Sequence, residues 1–101
     1  MRKTRDAEKG EAALAALPGL GPKSAQMLVE AGVAGPAALE KLGPAGAFRA
    51  VRFRHGRAAT TNFIYAIDGA IRRLDWRLLE PGRRSDLKEM ARAVIAELEG
   101  A

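Results

Sequence analysis

Leu17-Pro18-Gly19-Leu20-Gly21-Pro22-Lys23-Ser24-Ala25 places two glycines around one apolar residue, then a proline, a lysine and a serine. Glycine tolerates positive φ and leaves room for a close approach to the backbone, so Gly19 and Gly21 permit a tight turn with outward N–H groups. Pro22 suits the first position of a helix, where its missing N–H costs nothing. The helix that starts there adds a partial positive charge, Lys23 a full one and Ser24 a hydroxyl donor. Leu20 is expected to plug into the core and anchor the turn. Such a turn can hold a phosphate. It can equally be a compact helix–helix connection or a protein contact.

Upstream, Glu11–Ala16 (Glu-Ala-Ala-Leu-Ala-Ala) is strongly helix-forming and Pro18-Gly19 ends it. Residues 1–10 are charged and aperiodic, and we read them as a flexible basic arm before a single domain at 11–101. Downstream, Ala25, Leu28 and Val29 share one face of a helix that stops at Gly32. Gly35-Pro36 opens a third helix with Leu39 and Leu42, and Gly43-Pro44 closes it and begins a fourth with Phe48 and Val51. Phe63, Ile64, Ile67, Ala70, Ile71 and Leu74 form an amphipathic stripe, and so do Leu87, Met90, Ala91, Val94, Ile95 and Leu98. Pro81 is expected to begin the last helix, and Thr60 and Thr61 to cap the one before it. No segment alternates with period two. The expectation is an all-α fold, a small bundle of five to six helices led by a helical hairpin. Leu20-Gly21-Pro22 and Ala25 recur 22 residues later as Leu42-Gly43-Pro44 and Ala47, so residues 36–54 are a candidate second copy of that hairpin.

The 101 residues suffice for one small core. There is no cysteine, which excludes disulfides and thiolate metal sites and favours a reducing compartment. The first residues do not read as a signal peptide and no apolar run reaches membrane-spanning length. We therefore expect a cytoplasmic protein with no membrane partner. Net charge is +5 and the pI about 10.2, which makes an anionic partner plausible. From Arg49 to Arg84 nine arginines face three carboxylates. Arg49, Arg52, Arg54 and Arg57, with His55, form the densest cluster. It reads either as a phosphate footprint or as a solvated basic face with pairs such as Asp68–Arg72. Phe48, Phe53 and Phe63 fit core positions, Tyr65 lies off its helix's stripe, and Trp76 is placed to seal the core edge.

One histidine, no cysteine and scattered carboxylates leave little for an enzyme, and no metal or cofactor is expected. Gly19, Leu20, Gly21 and Ala25 resemble the helix–hairpin–helix motif, which implies contact with the DNA backbone without sequence readout. Residues 17–93 resemble the C-terminal domain of the TfoX (Sxy) family of competence regulators. The resemblance rests on the hairpin, on Met27-Leu28, Ala31-Gly32-Val33, Leu39 and Leu42-Gly43, and above all on Asn62-Phe63-Ile64-Tyr65-Ala66-Ile67-Asp68-Gly69-Ala70-Ile71 with Trp76. It implies a non-enzymatic regulatory module linked to transcription or DNA uptake, here a stand-alone copy without the family's N-terminal α/β domain. The partner would be nucleic acid, DNA bound without sequence specificity, or a transcription-related protein in an adaptor role. The candidate contacts are Gly19, Leu20, Gly21, Lys23, Ser24, Arg49, Arg52, Arg54 and Arg57.

Overall fold

The computed structural model describes residues 2–100, with side chains from Glu8 to Gly100. Its elements are α1 (Arg2–Ala15), α2 (Pro22–Glu30), α3 (Pro36–His55), α4 (Phe63–Arg72) and α5 (Pro81–Gly100), with short 3₁₀ turns at Gly56–Ala58 and Trp76–Leu78. Among the described residues there is no strand, as the absence of period-two alternation implies.

The first helix starts earlier than its apolar residues announce. Residues 2–10 are helical and form the opening turns of α1. Arginine, lysine, glutamate and alanine are all good helix formers, which lets a charged stretch continue the helix. Gly10 then docks that helix. Its backbone lies so close to the Ala34 carbonyl that a methyl group there would overlap it.

α1 and α2 form the hairpin, α3 packs against α2, α4 and α5, and α4 also touches α5. Each helix sends a fully buried side chain inward: Leu14, Leu28, Leu39 and Phe48, Ile64 and Ile67, and Leu87. Leu20 is buried as the plug of the hairpin turn.

α3 is broken at Gly43, whose φ of 73° and ψ of 176° are not helical. Pro44 disfavours helical backbone in the residue before it, and glycine absorbs the excursion. Two helical halves therefore meet where Gly43-Pro44 indicates. They do not repeat the first hairpin. Leu20 is buried and Leu42 is 46% exposed; Gly19 takes the left-handed φ of 82° in the first turn, and Gly43 does so in the second. The two segments share the buried alanines Ala25 and Ala47, and Val29 and Val51 both pack on the core.

Two further expectations are corrected. Phe53 is 80% exposed and takes no part in the core. At about 100° per residue it lies about 140° around the helix from Phe48 and about 160° from Val51, which both face inward. At the start of α4 the capping position belongs to Asn62, without a side-chain bond. Thr60 and Thr61 contribute carbonyls instead, accepting from the N–H groups of Phe63 and Ile64 at 2.9 and 3.1 Å.

α4 ends in a Schellman turn. Arg73 takes a left-handed φ of 60°, the Leu74 N–H donates to the Gly69 carbonyl at 2.9 Å, and the Arg73 N–H donates to the Ala70 carbonyl at 3.2 Å. The chain then turns through Trp76, whose ring stacks on Tyr65 with centroids 5.9 Å apart. Trp76 is half-buried at the core edge, as its junction position suggests.

Candidate nucleic-acid interface

The hairpin turn divides its residues between support and exposure. A Cβ at Gly19 would lie 3.7 Å from both the Ala66 carbonyl and the Trp76 ring, so Gly19 seats the turn on α4. The Leu20 N–H donates to the Leu17 carbonyl at 3.2 Å. With its side chain buried as well, Leu20 supports the turn and is not an open donor.

Gly21 is the N-cap of α2. Its backbone is extended (φ −102°, ψ −178°) and no side chain caps the helix. The first bond of the helix runs from the Ala25 N–H to the Gly21 carbonyl at 3.0 Å. Among the described residues no backbone acceptor serves the N–H groups of Gly19, Gly21, Lys23 or Ser24. Lys23 is exposed and Ser24 half-buried. Among the described residues Lys23 has no ion pair. The turn thus presents open donors, the positive end of α2 and one solvated ammonium together.

The arginine cluster is less available than its density suggests. Arg49 pairs with Glu97 at 2.9 Å, and Arg52 donates to the Ala59 carbonyl at 3.0 Å. Arg54 and Arg57 are exposed. His55 Nε2 lies 3.0 Å from the Met27 carbonyl and 3.6 Å from Glu30. A carbonyl only accepts, so this nitrogen carries a hydrogen and ties α3 to α2. Arg49 and Arg54 border Glu30 and Ala31, at the C-terminal end of α2. Lys23 lies seven residues earlier, about 10 Å along the helix axis. The hairpin and the Arg49–Arg54 stretch of α3 thus lie towards opposite ends of α2.

Arg72, Arg73, Arg77 and Arg83 are paired, whereas the buried Arg84 Nε has no partner among the described residues. Arg73 meets Glu40 at 3.3 Å, Arg77 meets Asp75 at 2.6 Å, and Arg72 meets Asp68 at 2.9 Å. Asp68 is the functional surprise of this stretch. It is 1% exposed, the one buried charged residue among those described. It receives Arg83 of α5 in a bidentate bond, at 3.0 Å from Nε and 2.8 Å from Nη2. The i, i+4 spacing exposes the Arg72 partner in the sequence. Nothing in the sequence marks Arg83, 15 residues on, as the second.

Burial alone would raise the Asp68 pKa; the Arg83 and Arg72 guanidiniums outweigh it and hold the carboxyl below its ordinary 3.8. Asp75, hydrogen-bonded by the Arg77 side chain and N–H, is lowered to about 2. Both carboxylates are more acidic folded than unfolded, so their stabilisation is complete above pH about 4 and is lost as pH falls through the folded values. Thermal melts should therefore show stability independent of these two groups from pH 7 to about 4.5, then a steady fall in Tm towards pH 2. Replacing Asp68 by Asn should flatten that fall.

Among the described residues no three His, Asp or Glu side chains are grouped to hold a metal ion. No helix there is long and apolar enough to cross a membrane.

An all-helical domain that opens with a tight double-glycine hairpin, and closes its core with two long amphipathic helices, defines the structural class. The chain belongs to the TfoX C-terminal domain family, whose model matches residues 10–91. Among solved structures it is similar to an uncharacterized protein from Listeria monocytogenes, determined in a triclinic crystal form. The two share 28% identity and a TM-score of 0.73, over 86% of this chain and 93% of that one. Nothing among the curated proteins matches.

Proposed function

We propose that this domain is a non-enzymatic, nucleic-acid-associated regulatory module that holds a backbone phosphate on the hairpin turn. The N–H groups of Gly21, Lys23 and Ser24 would receive the phosphate oxygens, and the Lys23 ammonium would neutralise the charge. Arg54 and Arg57 would add a second, separate contact further along the duplex. The setting implied by the family is regulation of competence or transcription.

One observation carries this reading. Gly21 has an extended backbone that any residue adopts, and a Cβ there would meet nothing within 4 Å. The fold therefore does not require glycine at Gly21. A serine or aspartate would cap α2 better by roughly a few tenths of a kcal/mol. A bare N-cap keeps the donors open for a ligand that must come close.

The competing reading, a protein-binding adaptor with a purely structural hairpin, is favoured by the seating of Gly19 against Ala66 and Trp76. Lys23→Glu separates the two. Lys23 is exposed, so the variant should fold normally. In fluorescence anisotropy with a labelled duplex at low salt, it should bind about tenfold more weakly or less, and the slope of log K against log salt should fall by about 1. Absence of any duplex or single-strand binding by the parent chain would sink the nucleic-acid reading.

A further inference from the structure

We infer, resting on the nucleic-acid reading of the domain, that Phe53 stacks on an unpaired base and that the cations around it hold the phosphates of a single strand. Phe53 is 80% exposed. Arg52 and Arg54 flank it in the chain, and Arg54 and Arg57 are exposed. Its ring divides two depressions that share Phe53 and Leu98, one of about 550 Å³ reaching Leu42 and Ala50 and one of about 320 Å³ reaching Ile95. Phe53 thus stands as a ridge between two hollows.

Charge names the occupant. Arg49, Arg52, Arg54 and Arg57 line these depressions against Glu30 and Glu99. Lys88 and Arg92 precede Ile95 by seven and three residues, so they continue its stripe along α5. Both are exposed. Arg49 is tied to Glu97 and Arg52 to the Ala59 carbonyl. Arg54, Arg57, Lys88 and Arg92 have no ion pair among the described residues.

Open cations around an exposed aromatic ring suit an anionic chain that also carries flat apolar groups. A single strand is such a chain, because every base has a π-face and every step a phosphate. In a duplex the base faces are already stacked on one another, so Phe53 has nothing to meet there. An acidic peptide would satisfy the cations alone. Arg54 and Arg57 therefore serve an unpaired segment, and the favoured substrate joins that segment to the phosphate held at Gly21 and Lys23.

The probes are a labelled oligothymidine of about 16 nucleotides, whose bases do not pair with one another, and a blunt duplex of the same length. At low salt the strand should bind the whole chain at least about tenfold more tightly than the duplex. Phe53→Ala should weaken strand binding about tenfold and leave duplex binding and the thermal melt unchanged, since the side chain is already in solvent. Phe53→Tyr should keep strand binding. Lys88→Gln with Arg92→Gln should lower the slope of log K against log salt by about 1.4, the single-strand value for two phosphates. Strand binding that Phe53→Ala leaves unchanged overturns the inference. So does a duplex bound as tightly as the strand, or polyglutamate that competes as well as the oligonucleotide. The hairpin reading survives those outcomes if Lys23→Glu still weakens duplex binding. Strand binding that needs Phe53 and ignores Lys23→Glu upholds the inference and removes the hairpin contact. A chain that binds neither probe overturns both.

Discussion

Gly69→Ala should lower the stability of the domain by about 3 kcal/mol and its Tm by about 15 °C. Helix propensity alone gives the opposite sign, because alanine within a helix is favoured over glycine by about 1 kcal/mol. Contact geometry decides. A Cβ at Gly69 would stand 2.8 Å from the Leu74 carbonyl oxygen, 3.0 Å from the Trp76 nitrogen and 3.1 Å from the Trp76 Cα. All three are backbone atoms, which cannot rotate away as a side chain can. Making room means moving the 74–76 segment away from α4, which strains the Leu74 N–H bond to the Gly69 carbonyl. The same movement shifts Trp76, which stacks on Tyr65 and lies against Gly19. The lesion therefore reaches the hairpin, and its crowding term exceeds the propensity gain several-fold. Gly82→Ala is the control. A Cβ there meets nothing within 4 Å, and the first turn of α5 accepts alanine, so Tm should hold or rise slightly. Circular dichroism melts of both variants measure the contrast, and a Tm for Gly69→Ala at or above the parent value would refute the argument.

The residues that could be read in advance carry periodic or steric information. Phe63 to Leu74 and Leu87 to Leu98 declare their helices because burial on one side imposes a period near 3.6 residues. The break at Gly43 is legible because proline restricts the residue before it. Orientation within a mixed helix is harder. α3 carries apolar residues on more than one face, and only its partners show that Phe48 and Val51 point inward while Phe53 points out. The start of α1 is not legible because charged helix formers look the same in a loose arm and in a helix. At the candidate site, the glycines and Lys23 were legible as local turn chemistry. The pairing of Arg49 with Glu97, 48 residues away, and the distance between hairpin and arginines depend on how α2 and α3 cross, which no local pattern encodes.

The same non-local character makes Asp68 the second strong test. Asp68→Asn should cost about 2–3 kcal/mol, a fall in Tm of about 10–20 °C. The carboxylate is buried and holds two guanidiniums, one on its own helix and one on α5. Asparagine keeps the shape but turns an amide donor towards donors. The loss stays below that of a fully buried pair because the Arg72 and Arg83 side chains are 48% and 27% exposed and recover part of their hydration. An apolar replacement of both partners should behave differently. Asp68→Leu with Arg83→Met removes the carboxylate and its less exposed partner, while Arg72, 48% exposed, turns to solvent, so the double variant should be more stable than Asp68→Asn by at least about 1 kcal/mol. Urea unfolding of the single and double variants measures the coupling as a departure from additivity. If Asp68→Asn lies within about 0.5 kcal/mol of the parent chain, the bridge between α4 and α5 contributes no more than an exposed ion pair. The packing of Ile64, Ile67 and Leu87 would then hold the two helices together unaided.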